Sequence, residues 1–128
     1  MPVDSEENRY KLMQQLIDGY LFTDDQALIL SKAAEVHAFM QQAYWTKDRT
    51  EAATRAGLVH SWNFALFEPG TERLVGFARV ISDYATMYYL SDVFVAPDCR
   101  GRGLGRAMLH WIAEEDPRRK RILRAFRF

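Results

Sequence analysis

Residues 93–112 run Val-Phe-Val-Ala-Pro-Asp-Cys-Arg-Gly-Arg-Gly-Leu-Gly-Arg-Ala-Met-Leu-His-Trp-Ile, so an apolar strand, a proline turn, a glycine-rich bend and an amphipathic helix follow without a spacer. Few folds accommodate that order. Gly101, Gly103 and Gly105 remove side chains where a backbone must curl tightly, which lets successive N–H groups and the positive end of the next helix converge on one anion. Arg100, Arg102 and Arg106 add full positive charge to the same residues. The segment therefore reads as a cradle for a pyrophosphate.

Spacing narrows the choice of pyrophosphate. A Walker-type loop needs Gly-Lys followed by Ser or Thr, which this bend lacks, and a dinucleotide fingerprint needs its third glycine where Arg106 stands. Arg100-x-x-Gly103-x-Gly105, introduced by Asp92-Val93-Phe94-Val95-Ala96-Pro97, resembles instead the coenzyme A motif of the GNAT family of N-acetyltransferases. The likeness is strongest over residues 86–112. It extends more loosely from about Gly19 to Phe126, through Gly76-Phe77-Ala78-Arg79 and Tyr88-Tyr89-Leu90.

At 128 residues the chain has material for one core. The expected layout is a tail and short helix over residues 1–18, then one GNAT-like domain over residues 19–128. A single cysteine, Cys99, excludes an intrachain disulfide, and neither a signal-peptide pattern nor a membrane-length apolar run is visible. A soluble cytoplasmic protein is the expectation. The net charge of zero hides an asymmetry: residues 1–99 hold 8 Lys or Arg against 14 Asp or Glu, and residues 100–128 hold 9 against 3. Nucleic acid is the weaker account of that basic end, because no aromatic residues interleave the charges as a stacking platform requires.

From Arg9 to Gly19 the apolar Tyr10, Met13, Leu16 and Ile17 are spaced for a short helix stopped by Gly19. Tyr20-Leu21-Phe22 reads as a first strand, and a helix from Asp24 or Asp25 buries Ala33, Val36, Met40 and Ala43. A second helix is expected from Asp48, which forms a capping box with Glu51, and ends before Trp62. Three strands joined by short links follow, Asn63 to Phe67, Leu74 to Ile81 and Met87 to Val95, and must form an antiparallel meander. Leu104, Ala107, Met108, Trp111 and Ile112 then mark a helix packed on the sheet. Asp116-Pro117 ends it. Arg121 to Phe126 reads as a last strand, parallel to the one from Met87 to Val95 after a helical crossover. The fold class is α+β with a mixed, mostly antiparallel sheet flanked by helices.

The resemblance implies an acetyl-CoA cleft between the Met87 to Val95 strand and the Arg121 to Phe126 strand. Val93, Phe94 and Val95 would present backbone groups to the amide-bearing arm, while Arg100, Gly101, Arg102, Gly103, Leu104, Gly105 and Arg106 hold the pyrophosphate. The reaction implied is acetyl transfer from acetyl-CoA to a primary amine of a small molecule, with no metal. An alkylammonium is almost wholly protonated at neutral pH, so a group must accept its proton. Asp92 is the candidate base, directly or through water, and its other reading is a structural carboxylate. Polyamine-acetylating relatives carry a Glu-Asp pair where this chain has Ser91-Asp92, and the hydroxyl of Ser91 cannot replace that glutamate. Relatives also continue past the last strand through another helix and two strands with a thiolate-protonating tyrosine, whereas this chain stops at Phe128. A short member, completed by a second copy at its open strand edge or binding coenzyme A without turnover, is the corresponding expectation.

Tyr44, Trp45 and Trp62 flank the second helix, as core packing or as an aromatic wall selecting a cationic amine. Tyr88 and Tyr89 alternate to opposite faces. Cys99 reads as a bystander thiol, and His37, His60 and His110 have no metal-ligand spacing. Arg79, charged within an apolar strand, can point into the cleft toward an acidic group or outward into water, the latter being the expectation. The run from Arg118 to Arg121 is expected to be solvated, its other reading being contact with the ribose phosphate of the coenzyme.

Overall fold

Two strands form the centre of the sheet because nearly every residue in them is apolar or small. In β3 (Trp62–Phe67) all six residues are buried, and in β4 (Leu74–Ile81) only Arg79 and Ile81 escape full burial. Such strands need cover on both faces. The computed structural model describes residues 12–43 and 46–124, the side chain of Arg124 excepted. Within them β1 (Gln14–Ile17), β2 (Tyr20–Thr23), β3, β4 and β5 (Tyr89–Val95) form one antiparallel sheet in sequence order. Helices α1 (Gln26–Ser31), α2 (Ala33–Gln42) and α3 (Glu51–Val59) cover one face. The other packs against α4 (Leu104–Glu114) and α5 (Pro117–Arg124).

Alternation along the strands divides the core. Trp62, Phe64 and Leu66 of β3 join Leu104, Met108 and Ile112 of α4 and Ile122 of α5, whereas Ala65 and Phe67 join Ile29, Val36, Met40 and Leu58 on the opposite face. The apolar stripe read at Leu104, Met108 and Ile112 is thus the buried face of α4. Tyr88 packs against the core while Tyr89 is exposed, the opposite orientations that alternation requires.

Three expectations are corrected. The helix read from Arg9 to Gly19 is absent over its described part: Gln14 to Ile17 pair with Tyr20 to Thr23 in a hairpin, and the Arg9 to Lys11 stretch lies outside the described residues. Its turn residues Asp18 and Gly19 have φ of 50° and 85°, the double positive φ that an Asp-Gly type I′ turn supplies. The division placed after residue 18 falls inside this hairpin. The strand read from Arg121 to Phe126 is helical through Arg124, and Ala125 and Phe126 lie outside the described residues. Asp116 explains this: its Oδ1 accepts from Arg118 N at 3.0 Å while Pro117 opens the new helix, so the dipeptide that stops α4 also starts α5. Among the described residues the sheet is consequently antiparallel throughout rather than mixed, and β5 is its terminal strand with no second strand wall. Finally, α3 is capped by Thr50, whose Oγ1 accepts from Ala53 N at 3.1 Å, not by Asp48.

Candidate functional site

The site begins at a break in the register of β5. Phe77 pairs with Phe94 and Arg79 with Ser91, so Ala78 alone faces both Asp92 and Val93 across the ladder. That two-against-one count is a β-bulge, and Asp92 takes φ of +52° within it. Its carboxylate is thereby turned toward the helical layer of α2 and α3, where a regular strand would not leave two consecutive residues on one face.

Asp92 is buried there between two guanidinium groups. Arg79 of β4 donates from Nε to Oδ2 at 2.9 Å, and Arg49, from the loop after α2, donates from Nη1 to the same oxygen at 2.9 Å. Burial pushes the Asp92 carboxyl upward, but the hydrogen bonds and charges of Arg49 and Arg79 outweigh it and hold the group below the usual carboxylate range. Arg79 therefore points inward, correcting the outward expectation, and is further fixed by Ser61 Oγ at 3.0 Å from Nη1. These three residues line a cavity of about 180 Å³ with Val36, Met40 and Phe77. Ser91, partly buried, lies opposite Arg79 in the ladder.

At the other end of β5, Ala96 N donates to Val75 O at 2.7 Å, and the chain turns through a 3₁₀ segment, Pro97–Cys99, into the glycine bend. Gly101 and Gly103 have φ of +81° and +76°, and a Cβ on either would meet no atom within 4 Å. Both conformations are left-handed, and the space they border is open. Gly103 caps α4 without a side-chain hydrogen bond, so the N–H groups of Leu104, Gly105 and Arg106 have no partner within the helix. They border a cavity of about 490 Å³ lined by Val95, Cys99, Arg100, Gly101 and residues 103–106. Gly105 matters for packing instead, because a Cβ there would stand 3.1 Å from Val95 Cγ2 and its bareness lets α4 approach β5.

The arginines of the bend diverge. Arg100 Nε reaches back to Val95 O at 3.0 Å, Arg102 Nη1 donates to Tyr20 Oη at 3.1 Å, and Arg106 is exposed beside the cavity. Val93, Phe94 and Val95 are half-buried on the terminal strand, with Phe94 stacked on Phe39. Bulge and bend thus lie at opposite ends of one short run of backbone, residues 92–95. Such a run can take an extended ligand along its free edge, with an anion at the helix end.

The remaining candidates fall elsewhere. Tyr44 and Trp45 lie outside the described residues, and Trp62 is buried in the core on the α4 side. Arg118 is not solvated: 4% exposed, it binds Asp24 Oδ2 at 2.8 Å and Asp116 Oδ1 at 2.9 Å, and its guanidinium carbon lies 5.3 Å from the centre of the Trp62 ring. Arg121 Nη2 donates to Tyr84 O at 2.9 Å, so much of the basic end is tied into the fold. Cys99 is buried, and among the described residues no group of His, Cys, Asp or Glu is placed to hold a metal. No helix of the described residues is long and apolar enough to cross a membrane. Sequence reasoning missed Arg49 entirely. Its only signal was an arginine just before a helix start, a common surface pattern.

A family model described as the Acetyltransferase (GNAT) family matches residues 24–126. A curated Gibberella zeae protein, by its name a candidate acetyltransferase, is 28% identical over 111 residues, covering 74% of this chain and 63% of its own length. The chain thus spans less than two thirds of that relative. Among solved structures, a candidate acetyltransferase of the GNAT family from Xanthomonas campestris pv. campestris superposes with a TM-score of 0.69 at 36% identity, over 78% of this chain and 68% of that one. A Staphylococcus aureus protein of unknown function, also a candidate acetyltransferase, gives 0.59 at 22% identity, over 73% of this chain and 66% of that one. The second likeness concerns the fold alone.

Proposed function

We propose, because this chain belongs to the acetyltransferase (GNAT) family, that it transfers an acetyl group from acetyl-CoA to a primary amine of a small molecule. The observation that carries the reading is the glycine bend. Its left-handed Gly101 and Gly103 border open space, and the first N–H groups of α4 are without helical partners beside Arg106. Those donors suit a diphosphate, and full positive charge beside them strengthens the site. Residues 93–95 would take the arm of the coenzyme along the free edge of β5, although Arg100 already occupies the carbonyl of Val95. Acetyl-CoA supplies the activated acyl group as a thioester.

The bulge at Asp92 would place the reacting end of the coenzyme beside the pocket under α2 and α3. Of the two readings of Asp92, the double ion pair supports the structural one. A carboxylate held below its ordinary pKa by two guanidiniums is a weaker proton acceptor than a free one. Asp92 accordingly enters as the residue that positions Arg49 and Arg79.

Calorimetric titration of acetyl-CoA, followed by thiol release with a panel of primary amines, tests the proposal. Saturable binding with amine-dependent thiol release is expected. Binding with no release from any amine would select a non-catalytic coenzyme A-binding protein, and absence of binding would remove both readings.

A further inference from the structure

Arg49 and Arg79 carry two positive charges into a pocket where Asp92 supplies one negative charge. Neither lining helix adds another carboxylate: α2 contributes Val36 and Met40, and α3 contributes Ala53, Thr54, Gly57 and Leu58. Asp92 is also asymmetrically used. Its Oδ2 receives both short bonds, while Oδ1 is reached only by Arg49 Nη2 at 3.5 Å. One unit of positive charge is therefore uncompensated within a cavity walled otherwise by apolar groups and the Thr54 side chain. In that setting the field of the excess charge is screened far less than at the surface. Arg49 is the accessible end of it, with 26% of its side chain exposed against 15% for Arg79 and 2% for Asp92.

We propose that the acceptor amine carries a carboxylate, and that this carboxylate seats against Arg49 in the pocket beneath α2 and α3. The inference rests on the acetyl-transfer reading and names its substrate class. Charge balance selects a monoanion: one carboxylate neutralises the excess, whereas a phosphate at neutral pH would carry more. Asp92 takes the Nη1 and Nη2 edge of the Arg49 guanidinium, the second of them only at 3.5 Å, so the edge formed by Nε and an outer Nη hydrogen is the fork that would meet a second carboxylate. Size agrees as well, since a cavity of about 150 Å³ takes a molecule as large as benzene and this one measures about 180 Å³. A polyamine is disfavoured on the same grounds. The one carboxylate that could attract its second ammonium is committed to two arginines.

Glycine, β-alanine and 4-aminobutyrate, each compared with its carboxamide, provide the test, with acetyl-CoA and thiol release as the assay. At least a tenfold higher kcat/KM for the best carboxylate over its carboxamide is expected. Arg49→Gln should shrink that ratio, chiefly by raising KM for the carboxylate, and Arg49→Lys, which keeps the charge but loses the fork, should retain part of it. Carboxamides or a diamine acetylated as well as the carboxylates would overturn the inference, as would an Arg49→Gln variant that lowers both members of each pair alike. If no amine releases thiol, calorimetric titration of the same amino carboxylates decides the matter separately from transfer. Saturable binding that Arg49→Gln weakens supports the carboxylate site while the transfer reading falls, and absence of binding overturns the site.

Discussion

Gly57 of α3 lies directly against the guanidinium of Arg79, so that a Cβ in place of its hydrogen would stand 3.2 Å from Nη1. A glycine inside a helix costs about 1 kcal/mol relative to alanine, and here it provides the room in which Arg79 turns toward Asp92. Gly57→Ala should therefore leave stability within about 1 kcal/mol of the parent, because the helix gains what the displaced guanidinium loses. Affinity for the acceptor should fall severalfold. Urea midpoints and acceptor KM, measured on the same preparation, check both halves, and an unchanged KM would show that Arg79 tolerates the methyl.

The cradle makes a sharper prediction. Gly103→Asp places a carboxylate where an anion is to be held, at a left-handed residue facing open space. The strain of a side chain in that conformation is about 1–2 kcal/mol, so the variant should fold with a modestly lowered midpoint. Acetyl-CoA binding should fall at least a hundredfold. Full retention of affinity in calorimetry would remove residues 103–106 from the site.

Acid should weaken the bulge. The folded-state pKa of Asp92 is depressed by Arg49 and Arg79, so its contribution to stability is fully present above the unfolded value of about 3.9 and is lost as pH falls toward the depressed folded value. Asp92→Asn should accordingly be less stable than the parent at pH 7, and the gap should narrow progressively below about pH 4. Urea titrations at pH 7, 4 and 3 give the comparison. A gap that stays constant across that range would contradict the assignment.

A second buried network should prove more costly to break. Arg118 joins Asp24 at the start of α1 to Asp116 at the junction of α4 and α5, and Met13 N also donates to Asp24 Oδ1 at 2.8 Å. Removing the cation by Arg118→Met strands two buried carboxylates, a loss on the order of 3–5 kcal/mol. The Tyr88 hydroxyl, 2.6 Å from Asp116 Oδ2, satisfies the same cluster, and Tyr88→Phe should cost about 1.5–3 kcal/mol. Chemical denaturation ranks the two. A Tyr88→Phe loss equal to that of Arg118→Met would mean that the cation adds nothing beyond the hydrogen bond.

Local chemistry is legible wherever one periodicity or one turn residue dominates. The apolar stripe of α4, the meander from β3 to β5 and the glycine bend are all readable as runs of neighbouring residues, because helix and strand periods act over a few positions. The hairpin from β1 to β2 carries a signal too, in Asp18-Gly19, but Met13, Leu16 and Ile17 also satisfy a helical spacing. In the fold the turn prevails, since β2 offers β1 a ladder that an isolated short helix lacks. Asp116-Pro117 likewise reads as an end when it is equally a beginning.

By itself, then, the sequence determined the order of strand, bend and helix around residues 93–112 and the family likeness, both consequences of patterns among near neighbours. Only the tertiary structure decided that Arg79 turns inward, that Arg118 is buried and that Arg49 meets Asp92 across 43 steps of chain. The direction of a long charged side chain is set by which opposite charge the folded chain brings within reach, and no periodicity along the chain encodes that.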